Sequence, residues 1–248
     1  MKKLLIIGIG AGDPDFITLQ AAKALATVDV FFMLEKGSSK DAMVELRREI
    51  CRRCCTKDYR VIEEPSPSRD TRPADYTACV DDLNRAKQAR FERMIADNLA
   101  EGQVGAILAW GDPSLYDSTI RNVEAIAARL GLDYEVIPGI SAVQVLAARH
   151  RITLNSVAQP VEITTGRRLG EGWPEGVDSV VVMLDGEETF RRFADQDIDI
   201  WWGAYLGTPD EILISGPLKD VSDEIHRVRT AARERHGWIM DTYLMRRR

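Results

Sequence analysis

Two turns in the first half of the chain each place a carboxylate between a glycine and a proline. Asp13 lies in the segment GIGAGDP at positions 8–14, and Asp112 lies in GDP at positions 111–113. Both turns follow apolar segments of strand composition, and open parallel sheets bind ligands at the carboxyl ends of their strands. Two carboxylates at that edge suit a ligand that carries positive charge and no phosphate. The alternative is that each aspartate only caps its own turn.

The first turn also resembles the phosphate-binding turn of a dinucleotide-binding fold. Gly8 and Gly10 follow a strand, and Glu35 stands at the end of the next strand, where such folds place a ribose-binding acid. However, Gly12 follows Gly10 after one residue instead of two, and Asp13 would repel a pyrophosphate. A nicotinamide-dependent (NAD) dehydrogenase therefore stays open as an alternative from a different enzyme class.

A third segment favours a second alternative enzyme class. Positions 139–143 (GISAV) approximate the nucleophile turn of α/β-hydrolases but lack its final glycine. A hydrolase would use Ser141 as its nucleophile, with His150 or His226 as the base. An acylating serine probe distinguishes it from the other hypotheses.

Composition limits the partners of the chain. Its 248 residues include 33 basic and 39 acidic residues, so the net charge of −6 argues against nucleic-acid binding and against a basic membrane-binding face. We expect no membrane span, because no apolar run approaches the ~20 residues required. The cysteines at 51, 54 and 55 are interpreted as packing thiols and not as metal ligands, and their reduced state fits a cytoplasmic protein.

Apolar segments alternate with amphipathic segments between and after the turns described above. This alternation predicts an α/β fold. Residues 1–138 should form a first lobe with a mainly parallel sheet. Its predicted strands cover residues 4–8, 28–34, 104–110 and 134–137, with helices at 18–26, 43–54, 80–99 and 118–130. Residues 56–76, which contain three prolines, are predicted to form a loop.

Residues 139–248 should form a second lobe. The predicted helices cover 142–150 and 223–234, and the predicted strands cover 161–165, 180–184, 198–205, 211–215 and 238–244. Since strands outnumber helices here, we expect a mixed sheet.

Four segments together resemble, in order and spacing, the tetrapyrrole methyltransferases of corrin and sirohaem synthesis. They are GIGAGDP at 8–14, GDPSLY at 111–116, IPGISA at 137–142 and VVML at 181–184, so the resemblance spans nearly the whole chain. It implies a two-lobed fold that binds S-adenosylmethionine in the cleft between the lobes. It also implies a homodimer and a tetrapyrrole (precorrin) substrate.

The same resemblance implies which residues contact the cofactor. Ala11 stands where many members of the family have proline. The pair Met183 and Leu184 stands where other members have tyrosine followed by methionine, which leaves open which of the two residues touches the adenine. The implied cofactor contacts are Ala11, Gly111, Asp112, Leu115, Ser141, Ala142, Met183 and Leu184.

Further segments point to the substrate class within the family. RREIC at 47–51, ITTGRRL at 163–169 and MLDG at 183–186 are most similar to members that methylate a ring carbon of a cobalamin precursor and release its acetyl group as acetate. A sister enzyme that methylates another ring carbon is the alternative. Methyl transfer needs alignment and a dry site more than a catalytic triad.

Acetate release adds water to a carbonyl group, so some residue must move a proton or hold an oxyanion. Asp13 and Tyr116 are the catalytic candidates, because both lie on turns expected to face the cofactor. The carboxylate-rich substrate also requires local cations, and we expect Lys36, Arg167 and Arg168 to supply them.

Overall fold

The computed structural model of the chain describes residues 2–35, 41–67 and 76–248. The chain divides into two compact units, Met1–Ser141 and Ala142–Arg248. The lobe boundary after residue 138 stays a sequence-based prediction. Within the described residues, no helix combines the length and the apolar composition that a bilayer crossing requires.

The first unit contains a parallel five-stranded sheet with helices on both faces. Its strands are β1 (Lys3–Gly8), β2 (Val30–Glu35), β3 (Arg60–Pro65), β4 (Val104–Ala109) and β5 (Asp133–Ile137). Its helices are α1 (Leu19–Leu25), α2 (Asp41–Cys54), α3 (Tyr76–Asn98) and α4 (Thr119–Leu130). The strand order is β3-β2-β4-β1-β5. The predicted mainly parallel sheet of this half of the chain is confirmed.

Both faces of this sheet are apolar, because consecutive residues of a strand point to opposite sides. In β1, Leu4 and Ile6 pack into one core cluster with α3 and α4, and Leu5 and Ile7 pack into the other with α1 and α2. Thr18 caps α1, since its hydroxyl accepts a hydrogen bond from the Ala21 N–H at 3.0 Å. The packed sheet thus fixes where the turns at its carboxyl edge begin.

The predicted loop over residues 56–76 is wrong in part, because β3 lies within it. This strand pairs only with β2 at the edge of the sheet, and most of its side chains are exposed or half-buried. An edge strand tolerates charges such as Glu63 and Glu64 and a proline at its end, here Pro65. The polar composition that indicated a loop is therefore the composition of a strand edge.

The second unit contains a mixed five-stranded sheet, as predicted. Its helices are α5 (Ala142–His150), α6 (Gly166–Leu169) and α7 (Leu218–His236). Its strands are β6 (Val161–Thr165), β7 (Ser179–Met183), β8 (Ile198–Ala204), β9 (Ile212–Pro217) and β10 (Asp241–Arg247). In the order β6-β7-β10-β8-β9, β6 and β7 are parallel and the other pairs are antiparallel. Trp202, Tyr243 and Phe190 lie in its core.

Candidate functional site

The turns after β1, β4 and β5 pack against one another at the carboxyl edge of the first sheet. Gly10 and Gly111 form a short antiparallel bridge, with the Gly111 N–H donating to the Gly10 carbonyl at 2.8 Å. A Cβ on Gly139 would lie 2.1 Å from the Gly111 carbonyl oxygen, and one on Gly8 would lie 2.5 Å from the Gly139 nitrogen. Glycines are required here because the three backbones approach so closely.

Asp13 and Asp112 both cap their own turns, so the capping alternative is observed at each. The Asp13 carboxylate accepts from the Asp15 N–H at 2.9 Å, and Asp112 Oδ1 accepts from the Ser114 N–H at 2.9 Å. Asp112 also joins two turns, because its Oδ2 accepts from the Gly139 N–H at 2.8 Å. Burial by itself would raise the pKa of Asp112, but the hydrogen bonds from Ser114 and Gly139 lower it overall. The carboxylate is therefore held ionised at this edge.

The other predicted residues of the first unit lie on the same turns. Ala11 is buried beside the Gly10 bridge, and Ser141 is buried with its Cα 3.6 Å from where a Cβ on Gly111 would lie. Tyr116 is 45% exposed and adopts a left-handed backbone with φ 52°, and Leu115 precedes it half-buried. The structure thus brings Asp13, Asp112 and these four residues to one edge of the sheet.

The predicted pair in the second unit lies where β7 ends. Leu184 has φ 54° and is 66% exposed, whereas Met183 before it is half-buried in the strand. Asp185 follows and is buried; it accepts from the Thr189 N–H at 2.6 Å and from the Tyr243 hydroxyl at 2.6 Å. The apolar side chain of Leu184 is therefore exposed to solvent, on a turn that the hydrogen bonds of the buried Asp185 hold in place.

A buried network of charges supports this turn, and the sequence did not reveal it. The Arg229 guanidinium donates to Asp241 Oδ2 at 2.8 Å, to the Asp185 carbonyl at 2.7 Å and to Glu188 Oε1 at 3.3 Å. Trp202 Nε1 also donates to Asp241 Oδ2, at 3.0 Å. Burial raises the pKa of Asp241, and the bonds from Arg229 and Trp202 act against that rise. Among the charged residues of α7, Arg229 carried no signal that would separate it from a solvent-facing side chain.

Two of the residues expected to supply cations, Arg167 and Arg168, lie on the short helix α6. Thr165 caps this helix, with its hydroxyl accepting from the Arg168 N–H at 3.4 Å. The Arg168 guanidinium pairs with Glu171, and the side chains of Arg167 and Arg168 are exposed. Lys36 lies outside the described residues. The substrate role of these three residues stays a prediction.

In the hydrolase alternative, the Ser141 nucleophile and the His150 base lie far apart. Ser141 precedes α5 and His150 ends it, so at about 1.5 Å per residue they are separated by roughly 13 Å along the helix. The His150 ring contacts the Trp202 carbonyl at 3.0 Å, and the His226 ring contacts Glu188 at 2.6 Å. Each histidine therefore has a partner other than a serine nucleophile.

The dehydrogenase alternative lacks the helix that its turn requires. A dinucleotide pyrophosphate lies against a helix that begins within the glycine turn. Here β1 is followed by the bridge at Gly10 and the 3-10 turn Pro14–Phe16, and α1 begins only at Leu19. The glycines of this turn serve packing between backbones instead.

A parallel sheet with packed turns at its carboxyl edge, followed by a mixed sheet with an exposed apolar turn, defines an α/β protein of two units. The family model "Tetrapyrrole (Corrin/Porphyrin) Methylases" matches residues 3–222. The chain belongs to this family and is a methyltransferase, as the resemblance predicted.

Individual relatives agree over the full length. A protein of Sinorhizobium sp. named "Precorrin-6A synthase [deacetylating]" is 51% identical over 250 residues, which cover 100% of this chain and 96% of that protein. A crystal structure of a cobalamin synthesis related protein from Corynebacterium diphtheriae is 33% identical, with a TM-score of 0.83 and coverage of 99% and 98%. A uroporphyrin-III C-methyltransferase from Thermus thermophilus, solved with S-adenosyl homocysteine, shares the fold at a TM-score of 0.57 and 17% identity, over 98% of this chain and 91% of that one.

Proposed function

We propose that the chain is an S-adenosylmethionine-dependent C-methyltransferase of cobalamin biosynthesis, a precorrin-6A synthase (deacetylating). It methylates C1 of precorrin-5 and releases the acetyl group as acetate. The observation that carries this proposal is the 51% identity, over the full chain, to the Sinorhizobium protein of that name. A sister C-methyltransferase is less favoured, because the related precorrin-4 enzyme of Rhodococcus erythropolis is only 24% identical.

The cofactor supplies an electrophilic methyl carbon on a positively charged sulfur. We infer that Ala11, Gly111, Asp112, Leu115, Ser141, Ala142, Met183 and Leu184 bind it. The ionised Asp112 supports this, because a fixed negative charge at the sheet edge favours a cationic ligand over a diphosphate. The exposed side chain of Leu184 supports an apolar contact with the adenine, since a large apolar residue held out in solvent is typical of a binding surface.

For the substrate, we propose Lys36, Arg167 and Arg168 as partners of its carboxylates, and Asp13 and Tyr116 as groups near the reacting ring. The positions of Asp13 and Tyr116 on turns after the adjacent strands β1 and β4 support this. We also propose a homodimer in the cytoplasm. Sedimentation of the purified protein tests the dimer.

Calorimetry of ligand binding tests the proposed function. We expect S-adenosylhomocysteine to bind and NAD not to bind. Leu184→Asp should weaken the binding at least tenfold, because it places a charge against the adenine. Leu213→Asp is the matched control, since Leu213 is another exposed leucine of the second unit and lies on β9. Binding of NAD without S-adenosylhomocysteine would contradict the proposed cofactor and favour the dehydrogenase alternative.

A further inference from the structure

A cavity of about 230 Å³ lies within the first unit at the carboxyl ends of β2 and β4. Leu34 and Glu35 line it from β2, and Ala109 and Trp110 line it at the end of β4, directly before the turn at Gly111. Since a water molecule occupies about 30 Å³ in the liquid, the cavity has room for a small acyl group with water beside it. It adjoins the turns proposed to bind the cofactor.

Two charged residues that line the cavity each have a buried polar atom without a hydrogen-bond partner in the described structure. Buried atoms of two lining residues, Nε of Arg47 and Oε1 of Glu35, have no partner within the described parts of the chain. The described residues contain four such buried side-chain atoms, and two of the four line this cavity. Leaving a buried polar atom unsatisfied costs about 1–3 kcal/mol, so such a pair in one cavity favours a site that takes water or a polar ligand. Asp117, which also lines the cavity, accepts from the Thr119 N–H at 2.6 Å and is therefore already engaged.

The chemistry of the lining limits what the ligand can be. The guanidinium of Arg47 offers N–H donors to a carbonyl or carboxylate oxygen, and the carboxylate of Glu35 accepts a proton donor such as water. Phe32 and Phe91 provide apolar wall that suits a methyl group. A carbonyl oxygen, a methyl group and a nearby water together describe a hydrated acetyl group.

We propose that this cavity receives the acetyl group of the substrate, with Arg47 holding its oxygen and Glu35 accepting a proton from the attacking water. This inference rests on the proposed function and names the residues that release acetate. It assigns the step to two half-buried residues of the cavity lining, whereas the Asp13 carboxylate caps its turn and Tyr116 lies exposed.

The step balances with water as the only co-reactant. The water oxygen bonds to the acetyl carbonyl carbon, one water proton passes to Glu35, and the carbonyl electrons move to an oxyanion beside Arg47. When the oxyanion reforms the carbonyl, the bond between the acetyl carbon and the ring carbon breaks. Its electron pair stays on the ring carbon, which becomes the nucleophile for methylation, and acetic acid leaves and ionises.

Burial makes Arg47 effective in this role. Burial lowers the pKa of Arg47, and the negative charges of Glu35 and Asp117 oppose that change. A guanidinium nevertheless stays protonated in proteins, so it provides a permanent positive charge in surroundings of low dielectric constant. Donors fixed where negative charge develops typically contribute 10²–10³-fold to a rate.

Two variants and a matched control test the assignment. Glu35→Gln and Arg47→Gln should each lower the rate of acetate release at least 100-fold, while binding of S-adenosylhomocysteine changes less than twofold. Arg48→Gln is the control, because Arg48 is the next residue of α2, is more than half exposed and pairs with Glu63 at 3.7 Å on the surface. It should release acetate at the wild-type rate. Acetate release by both cavity variants at that rate would overturn the inference.

Binding of acetate supplies a test that does not need turnover. Titration of [¹³C]acetate followed by NMR should show saturable binding to the wild type and a loss of at least tenfold in Arg47→Gln, with Arg47→Lys between them. Equal binding by wild type and Arg47→Gln would overturn the inference even if the enzyme is active. Conversely, a wild type that binds acetate through Arg47 but forms no methylated precorrin would contradict the proposed function alone.

Discussion

The buried ion pair of Arg229 and Asp241 gives the sharpest stability prediction, which concerns Arg229→Met. The Arg229 side chain is 4% exposed and that of Asp241 is 6% exposed, with Nε and Oδ2 2.8 Å apart. Methionine fills similar space but leaves the Asp241 carboxylate buried without its cation. Removing one partner of such a pair costs about 3–5 kcal/mol. For a chain of 248 residues, roughly 2–4 °C per kcal/mol predicts a loss of about 6 °C or more in the melting temperature.

Urea and thermal unfolding of the purified variants measure this loss. Arg248→Met is the matched control, because Arg248 pairs with Asp199 at 2.6 Å but is 42% exposed, and exposed pairs contribute at most about 1 kcal/mol. The double variant Arg229→Met/Asp241→Leu should regain part of the stability, since it removes the uncompensated charge. A loss in Arg229→Met no greater than that in Arg248→Met would refute the reasoning.

Three further predictions concern the turns. Gly139→Ala should cost at least about 1–3 kcal/mol in urea unfolding, because its Cβ would meet the Gly111 carbonyl oxygen at 2.1 Å, whereas Gly186→Ala, with open space around it, should be close to neutral. Since the folded-state pKa of Asp112 lies below its ordinary value of 3.8, its stabilisation is present above that pH and is lost as pH falls through the folded value. The difference in unfolding free energy between wild type and Asp112→Asn should therefore shrink from pH 6 to pH 3, and a constant difference would contradict this. Tyr243→Phe should cost about 1–3 kcal/mol by loss of the 2.6 Å bond to the Asp185 carboxylate, and an unchanged melting temperature would count against it.

The spacing of apolar residues predicted most of the helices and strands, because buried strands and amphipathic helices each produce a local pattern in the sequence. The alternation of apolar strand segments with amphipathic helical segments predicted that the first sheet is mainly parallel. In β1, the residues on both faces are apolar, as expected for a strand with helices on both sides of its sheet. The strand β3 escaped because an edge strand has charges and a proline, the same signals as a loop. Local composition cannot show whether a neighbouring strand is present.

The candidate site was predictable only where residues lie next to their turns. The aspartates at 13 and 112 follow strands directly, so their place at the sheet edge could be read from the sequence. Arg229 and Arg47 could not be found in this way, because each is one cation on a charged helix, and only the packed structure shows that Arg229 is buried and that Arg47 lines a cavity. A charged side chain can be distinguished from an ordinary surface residue only when it is seen to be shielded from water. That shielding depends on contacts with residues distant in sequence.

The proposed enzyme couples methylation of a ring carbon to the release of acetate. The most direct measurement incubates the purified protein with precorrin-5 and S-adenosylmethionine labelled in its methyl group, and analyses the products by mass spectrometry. We predict one labelled methyl group on the ring carbon and one free acetate for each turnover. A methylated ring that keeps its acetyl group, or no transfer of label at all, would contradict the account.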